Sequence, residues 1–205
     1  VTACTCGKPP EVCVCDRLAP TAIRTRVLVL QHPQEQDRRL GTVPLLERGI
    51  GAVRRVGLSW PNLAAAWGSD PDGRWAVVWP MQLAKELPVK GAVVHVDRAG
   101  EWSEAPLDAL VALDGSWSQA KALWWRNPWL LKLDRIVVRP TDASIYGRMR
   151  REPRPGFVST LEAVADALVA TGEAPELRAD LRRAMRTMVQ RARDAGPEAA
   201  SDAER

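Results

Sequence analysis

The segment Leu113-Asp114-Gly115-Ser116-Trp117 holds the residue types and spacing best suited to chemistry. An apolar run ends in Asp114, Gly115 permits a tight backbone, and Ser116 with Gln119 has the S-x-x-Q spacing of a capping box that opens a helix. A carboxylate at a strand's carboxyl end can take a proton or bind a ligand amine, and the amides of the helix start face any anion. Capping accounts for the Ser116 hydroxyl. Core packing is the plain reading of Trp117, although a tryptophan beside a pocket also stacks on a base or an adenine.

Three other segments carry reactive or ligating types. Cys4, Cys6, Cys13 and Cys15 are two C-x-C pairs around a Lys8-Pro9-Pro10 turn, a pattern that can surround one tetrahedral zinc. The pairs are tighter than the usual ribbon spacing; metal binding is favoured over free thiols, and disulfides across such short spacings are disfavoured. Gln31-His32-Pro33-Gln34-Glu35 follows an apolar run, where a strand's carboxyl end meets a ligand crevice. Proline after His32 holds that residue extended, and Glu35 is placed to start the next helix; taken alone, a solvent-facing turn explains the segment as well. Ser144-Ile145-Tyr146-Gly147-Arg148-Met149-Arg150-Arg151 joins the only tyrosine to three arginines, which suits RNA phosphates and a base. Beyond it, Ser159-Thr160-Leu161-Glu162 repeats the capping-box spacing; structure alone explains Ser159 and Glu162, and a cofactor carboxylate at that helix start is the competing reading.

Elements able to position these groups are legible as alternating strands and helices. Short apolar runs at Arg26–Gln31, Ala52–Leu58, Trp75–Trp79, Ala92–Val96, Ala109–Leu113 and Arg135–Arg139 predict strands covered on both faces, hence an α/β fold with a mainly parallel sheet and flanking helices. Helices are predicted over Ser116 to Trp125, Ser159 to Thr171 and Glu176 to Arg193, the last two from apolar residues at helical spacing. Asn62–Gly73 is read as loop. Residues 1–19 form a cysteine knuckle, 20–193 one α/β domain, and 194–205 a disordered acidic tail.

Composition limits the class more than it selects it. A chain of 205 residues, 46% hydrophobic and 26% charged, suits one soluble domain. No apolar run spans a bilayer and no export signal is present in the sequence given, so a cytoplasmic protein with no membrane partner is expected. The net charge of +4 understates local basicity, because Arg135–Arg154 and Glu176–Arg193 each hold six arginines against two acids. Solvated helix faces explain such runs too. Neither a P-loop, a dinucleotide fingerprint nor a serine nucleophile elbow occurs.

In order along the chain, the cysteine knuckle, QHPQE, LDGSWSQA, SIYGRMRR and STLEAVADAL resemble the DTW-domain family of tRNA-uridine aminocarboxypropyltransferases. Asp114-Gly115-Ser116-Trp117 stands for the family's Asp-x-Thr-Trp element, with serine in place of threonine, and Cys4-Thr5-Cys6 is narrower than the expected first pair. The resemblance implies a knotted SPOUT-like fold that binds S-adenosylmethionine, and a cytoplasmic transferase that modifies tRNA. It assigns Trp79, Pro80, Leu113, Gly115, Ser116, Trp117, Ser159, Thr160 and Glu162 to the cofactor, and Asp114 to the reacting centre as the base. His32, Glu35, Tyr146, Arg148, Arg150 and Arg151 are assigned to the RNA, Tyr146 by stacking on the target base, and the four cysteines to a structural zinc. The competing readings are a SPOUT-type RNA methyltransferase and a non-catalytic zinc-knuckle RNA-binding protein.

Overall fold

The computed structural model describes residues 4, 6–80, 93–139, 142–149 and 158–196. Six strands, β1 (Arg26–Gln31), β2 (Val53–Val56), β3 (Trp75–Pro80), β4 (Val93–Val96), β5 (Ala109–Asp114) and β6 (Asp134–Val138), form one sheet in the order β2-β1-β5-β3-β6-β4. Every pairing is parallel except that of β4 with β6. The apolar middles of β1 and β5 follow from burial on both faces, since Leu28, Val29, Leu110 and Val111 are fully covered. Each such side chain contributes about 1.5–3 kcal/mol relative to exposure.

The two faces are covered by different layers. On one, α1 (Val43–Ile50), α4 (Thr160–Ala170) and α5 (Pro175–Asp194) pack over Val27, Val29, Leu110, Ala112 and Ile136. On the other, Leu28, Leu30, Val77 and Val111 meet a tryptophan-rich layer that includes Trp60, Trp67, Trp124 and Trp129, built around α2 (Leu63–Trp67) and α3 (Trp117–Arg126). The cysteine segment is part of the first core, because Val12, Val14 and Leu18 are buried in it.

Two local expectations are corrected. Glu35 does not start a helix: it closes a short 3-10 turn at Pro33–Glu35, and the next α-helix begins only at Val43. Within the segment read as loop, Asn62 caps the five-residue α2 by accepting from the Ala65 amide at 2.8 Å. Five residues are too few for an apolar period to register. Residues 197–205 of the expected tail lie outside the described residues.

Candidate functional site

Adjacent strands β1 and β5 send their chains to opposite faces, β1 toward α1 and β5 toward α3. In an open parallel sheet such a divergence leaves a crevice beyond the carboxyl ends of the strands, where ligands bind. The last residues of the two strands, Gln31 and Asp114, are register partners at the mouth of that crevice. Period-2 alternation puts both side chains on the face of Val29 and Ala112, toward α1 and α4.

Asp114 is only 7% exposed, and both of its oxygens are engaged. Oδ2 accepts from Gln31 Nε2 at 2.8 Å and Oδ1 from the Thr160 hydroxyl at 2.6 Å. Its main-chain carbonyl accepts from the His32 amide at 2.9 Å, so the extended conformation of His32 continues the pairing of the two strand ends. Arg54 Nη1 contacts Gln31 Oε1 at 3.5 Å and its Nε contacts Glu47 at 3.1 Å. Burial raises the Glu47 carboxyl above its ordinary value, an effect that Arg54 opposes.

Around this carboxylate the local sequence builds two helix starts. Ser116 accepts from the Gln119 amide, and the Gln119 side chain accepts from the Ser116 amide, completing a capping box on α3. Gly115 is required by close approach: a Cβ there would lie 2.7 Å from Cβ of Gln119. Gln119 Nε2 also donates to Gln34 at 3.0 Å, tying this turn to the QHPQE loop. Ser159 and Glu162 form the second capping box, at the start of α4, which brings Thr160 to Asp114. Trp117 is half-buried in the first turn of α3.

Several residues expected to contact ligands are engaged elsewhere. Glu162 is fully buried and accepts from the Ser159 amide, from the Ser144 hydroxyl and from the Ile145 amide, with Arg182 at 3.3 Å. It anchors the 144–146 segment to α4, and its neighbour Ser159, also buried, is held in the cap. Tyr146 is 4% exposed and donates to the Leu40 carbonyl at 2.6 Å, so it pins two loops together and offers no free ring face to a base. Glu35 is buried, 3.8 Å from Arg38. Leu113 points to the tryptophan-rich face, opposite Asp114. His32 is half-buried, with Nδ1 accepting from the Gln34 amide. Trp79 and Pro80 end β3, where Pro80 pairs with Val138, and Arg148 lies in a 3-10 turn. Arg150 and Arg151 lie outside the described residues.

Lys8 ties the cysteine knuckle to the loop between Glu35 and α1. Its Nζ donates to the carbonyls of Arg38 and Arg39 at 2.8 and 2.9 Å. Burial lowers its pKa to about 8, against the opposing influence of Cys6 and Asp114. The ligating atoms of Cys4, Cys6, Cys13 and Cys15 all lie within 4.8 Å of one another. The Cys4 thiol is lowered to about 6 by the Cys6 backbone amide and neighbouring thiols, whereas Cys13 and Cys15 are raised, chiefly by burial. Four thiols this close cannot all ionise without a cation among them, and a tetrahedral metal fits that donor set.

Sequence reasoning missed Gln31 as the partner of Asp114 and Lys8 as the tie between the knuckle and the loop before α1. Gln31 carried a usable signal, a polar residue on the inward parity of an apolar strand. Lys8 carried none, since its reach depends on where the knuckle docks.

An open α/β protein with a buried carboxylate at the switch point, two helix starts beside it and a four-thiol knuckle against the core is the class that fold and site define. The DTW domain model matches residues 2–193, and the chain belongs to that family. It is 32% identical to tRNA-uridine aminocarboxypropyltransferase 2 of Drosophila melanogaster, over 89% of this chain and 71% of that protein. Similarity extends to the Mus musculus protein of the same name, 29% identical over 80% of this chain, and to tRNA-uridine aminocarboxypropyltransferase A of Arabidopsis thaliana, 26% identical over 80%. The chain spans 54% of the mouse protein and 70% of the plant one. No solved structure gives a significant match. No helix among the described residues is long and apolar enough to cross a membrane.

Proposed function

We propose that this chain is a tRNA-uridine aminocarboxypropyltransferase, which moves the 3-amino-3-carboxypropyl group of S-adenosylmethionine to N3 of a tRNA uridine. The observation that carries the reading is the buried Asp114 of the family's signature element, held by Gln31 and Thr160 at the switch-point crevice of a chain that matches the DTW model over residues 2–193. A sulfonium activates its attached carbons, and attack at the aminocarboxypropyl methylene transfers that group. The N3–carbon bond forms as the carbon–sulfur bond breaks, its electron pair stays on sulfur, and neutral methylthioadenosine leaves.

The residues present suit that co-substrate. Gly115, Ser116 and Trp117 bring an amide-bearing helix start and an indole beside Asp114, and Thr160 adds a second helix start, a combination able to hold a carboxylate and an adenine. Asp114 is assigned as the base that takes the N3 proton, a role worth roughly 10²–10⁴ in rate. Each oxygen accepts one hydrogen bond and has the capacity for a second. Gln31 and Thr160 orient it. His32, at the mouth, and the arginines 148, 150 and 151 are assigned to the RNA.

A SPOUT-like knot is part of the proposal. It is supported by the insertion of β5 between β1 and β3, both earlier in the chain, and by the return of α4 to the end of β5 after β6. The path of the chain in a cofactor-bound crystal structure tests it. A structural zinc on the four cysteines is supported by their clustering and leaves no open coordination position for catalysis; elemental analysis of the purified protein tests that assignment.

The activity is tested by incubating tRNA with S-adenosylmethionine and weighing the digested nucleosides. An aminocarboxypropyl increment on uridine with methylthioadenosine as by-product is expected. A methyl increment with adenosylhomocysteine overturns the reading.

A further inference from the structure

Away from the Asp114 crevice, the knuckle, the end of α1 and the last half of α5 enclose a groove of about 810 Å³. Arg17, Arg48, Arg183 and Arg191 line it, with Asp16 the only acid among the lining residues. Asp16 is already clasped by Arg191, whose two terminal nitrogens approach its oxygens at 2.9 and 2.8 Å, and by Arg17 Nε at 3.1 Å. Arg183 contacts Asp180 at 2.9 Å on the exposed face of α5. Arg48 is exposed and has no carboxylate partner among the described residues. The lining arginines therefore outnumber the carboxylates that pair with them, and Arg48 faces solvent.

We propose that this groove is an RNA docking surface which holds backbone phosphates of the tRNA a few nucleotides from the target uridine. The inference rests on the reading of tRNA as substrate. Guanidinium forks match phosphate oxygens in pairs. Leu18 and Pro20, also in the lining, supply apolar surface for sugars. Position favours RNA as well. The start of α1 lies on the Asp114 side, beside Gly41 and Lys8, and Arg48 is near its other end. Five residues at the helical rise separate Val43 from Arg48 by about 8 Å along the axis, which a few nucleotides cover.

The test is the double reversal R48E/R183E. Both side chains are exposed, and unchanged circular dichroism and thermal melting show that the variant folds. Binding of unmodified tRNA is measured against salt, separately from transfer. The expected result is a loss of affinity of about tenfold or more, a salt slope reduced by about one to two units, and a KM for tRNA that rises more than kcat falls. Wild-type affinity and slope in the variant overturn the groove, as does displacement of tRNA by poly-glutamate as effectively as by homopolymeric RNA, which would mark a site for acidic protein. Failure of the wild type to modify tRNA that it binds would instead sink the functional reading, so the two failures are distinguishable.

Discussion

Gln31 Nε2 donates to Oδ2 of Asp114 at 2.8 Å across the paired ends of β1 and β5, where both side chains are buried. Two residues 83 positions apart are thus joined at the mouth of the crevice. Asp114→Asn keeps the shape and removes the basic oxygen, so transfer should fall by roughly 10²–10⁴. Binding of tRNA should be retained in a filter assay. Activity near wild type in that variant removes Asp114 as the base.

Thr160 provides a test of positioning. Thr160→Val is nearly isosteric and leaves Oδ1 of Asp114 without its donor, which costs about 1–3 kcal/mol where the group is buried. Thr160→Ser keeps the hydroxyl. The valine variant should lower kcat and the serine variant restore most of it; equal activities in single-turnover assays would show that the bond does not matter.

Glu162 is expected to act on stability. Glu162→Gln leaves the buried Arg182 with Asp142, at 3.8 Å, as its remaining carboxylate and weakens the hold on Ser144 and Ile145. Breaking a buried pair costs about 3–5 kcal/mol, so the urea midpoint should drop markedly. A KM for S-adenosylmethionine that rises with the midpoint unchanged would return Glu162 to the cofactor site.

The knuckle should respond to metal and to acid by separate routes. Chelation, or Cys13→Ser, should lower the melting temperature, because Val12, Val14 and Leu18 sit in the core that the cysteines help to close. An unchanged melt with metal stripped would show that the thiols need no ion.

Acid acts through Asp16. The Arg191 guanidinium holds its carboxyl below the ordinary carboxylate range. A depressed folded-state pKa adds stability at pH values above the unfolded-state pKa, and that stability is lost as pH falls through the folded value. Asp16→Asn should therefore be less stable than wild type near neutrality, with the difference closing in strong acid; parallel stability curves across that range would contradict it.

What the sequence determined by itself lies within a few residues of chain. Both capping boxes, Ser116 with Gln119 and Ser159 with Glu162, are legible because the bonds that start a helix join residues three apart. The strands are legible because burial on both faces demands unbroken apolar runs, and the signature element identifies the family from Asp114 onward. Tertiary structure decided the rest. Strand order set Gln31 opposite Asp114, and the return of α4 brought Thr160 to the same carboxylate from 46 residues away. Only docking of the knuckle carried Lys8 to the carbonyls of Arg38 and Arg39. Tyr146 and Glu162, polar enough in sequence to pass for ligand contacts, became internal ties because partners distant in the chain, Leu40 and Arg182, satisfy them in the core. Local patterns record which bonds a residue can make, whereas packing selects the partner, since a buried polar group must be paired wherever the fold brings one within reach.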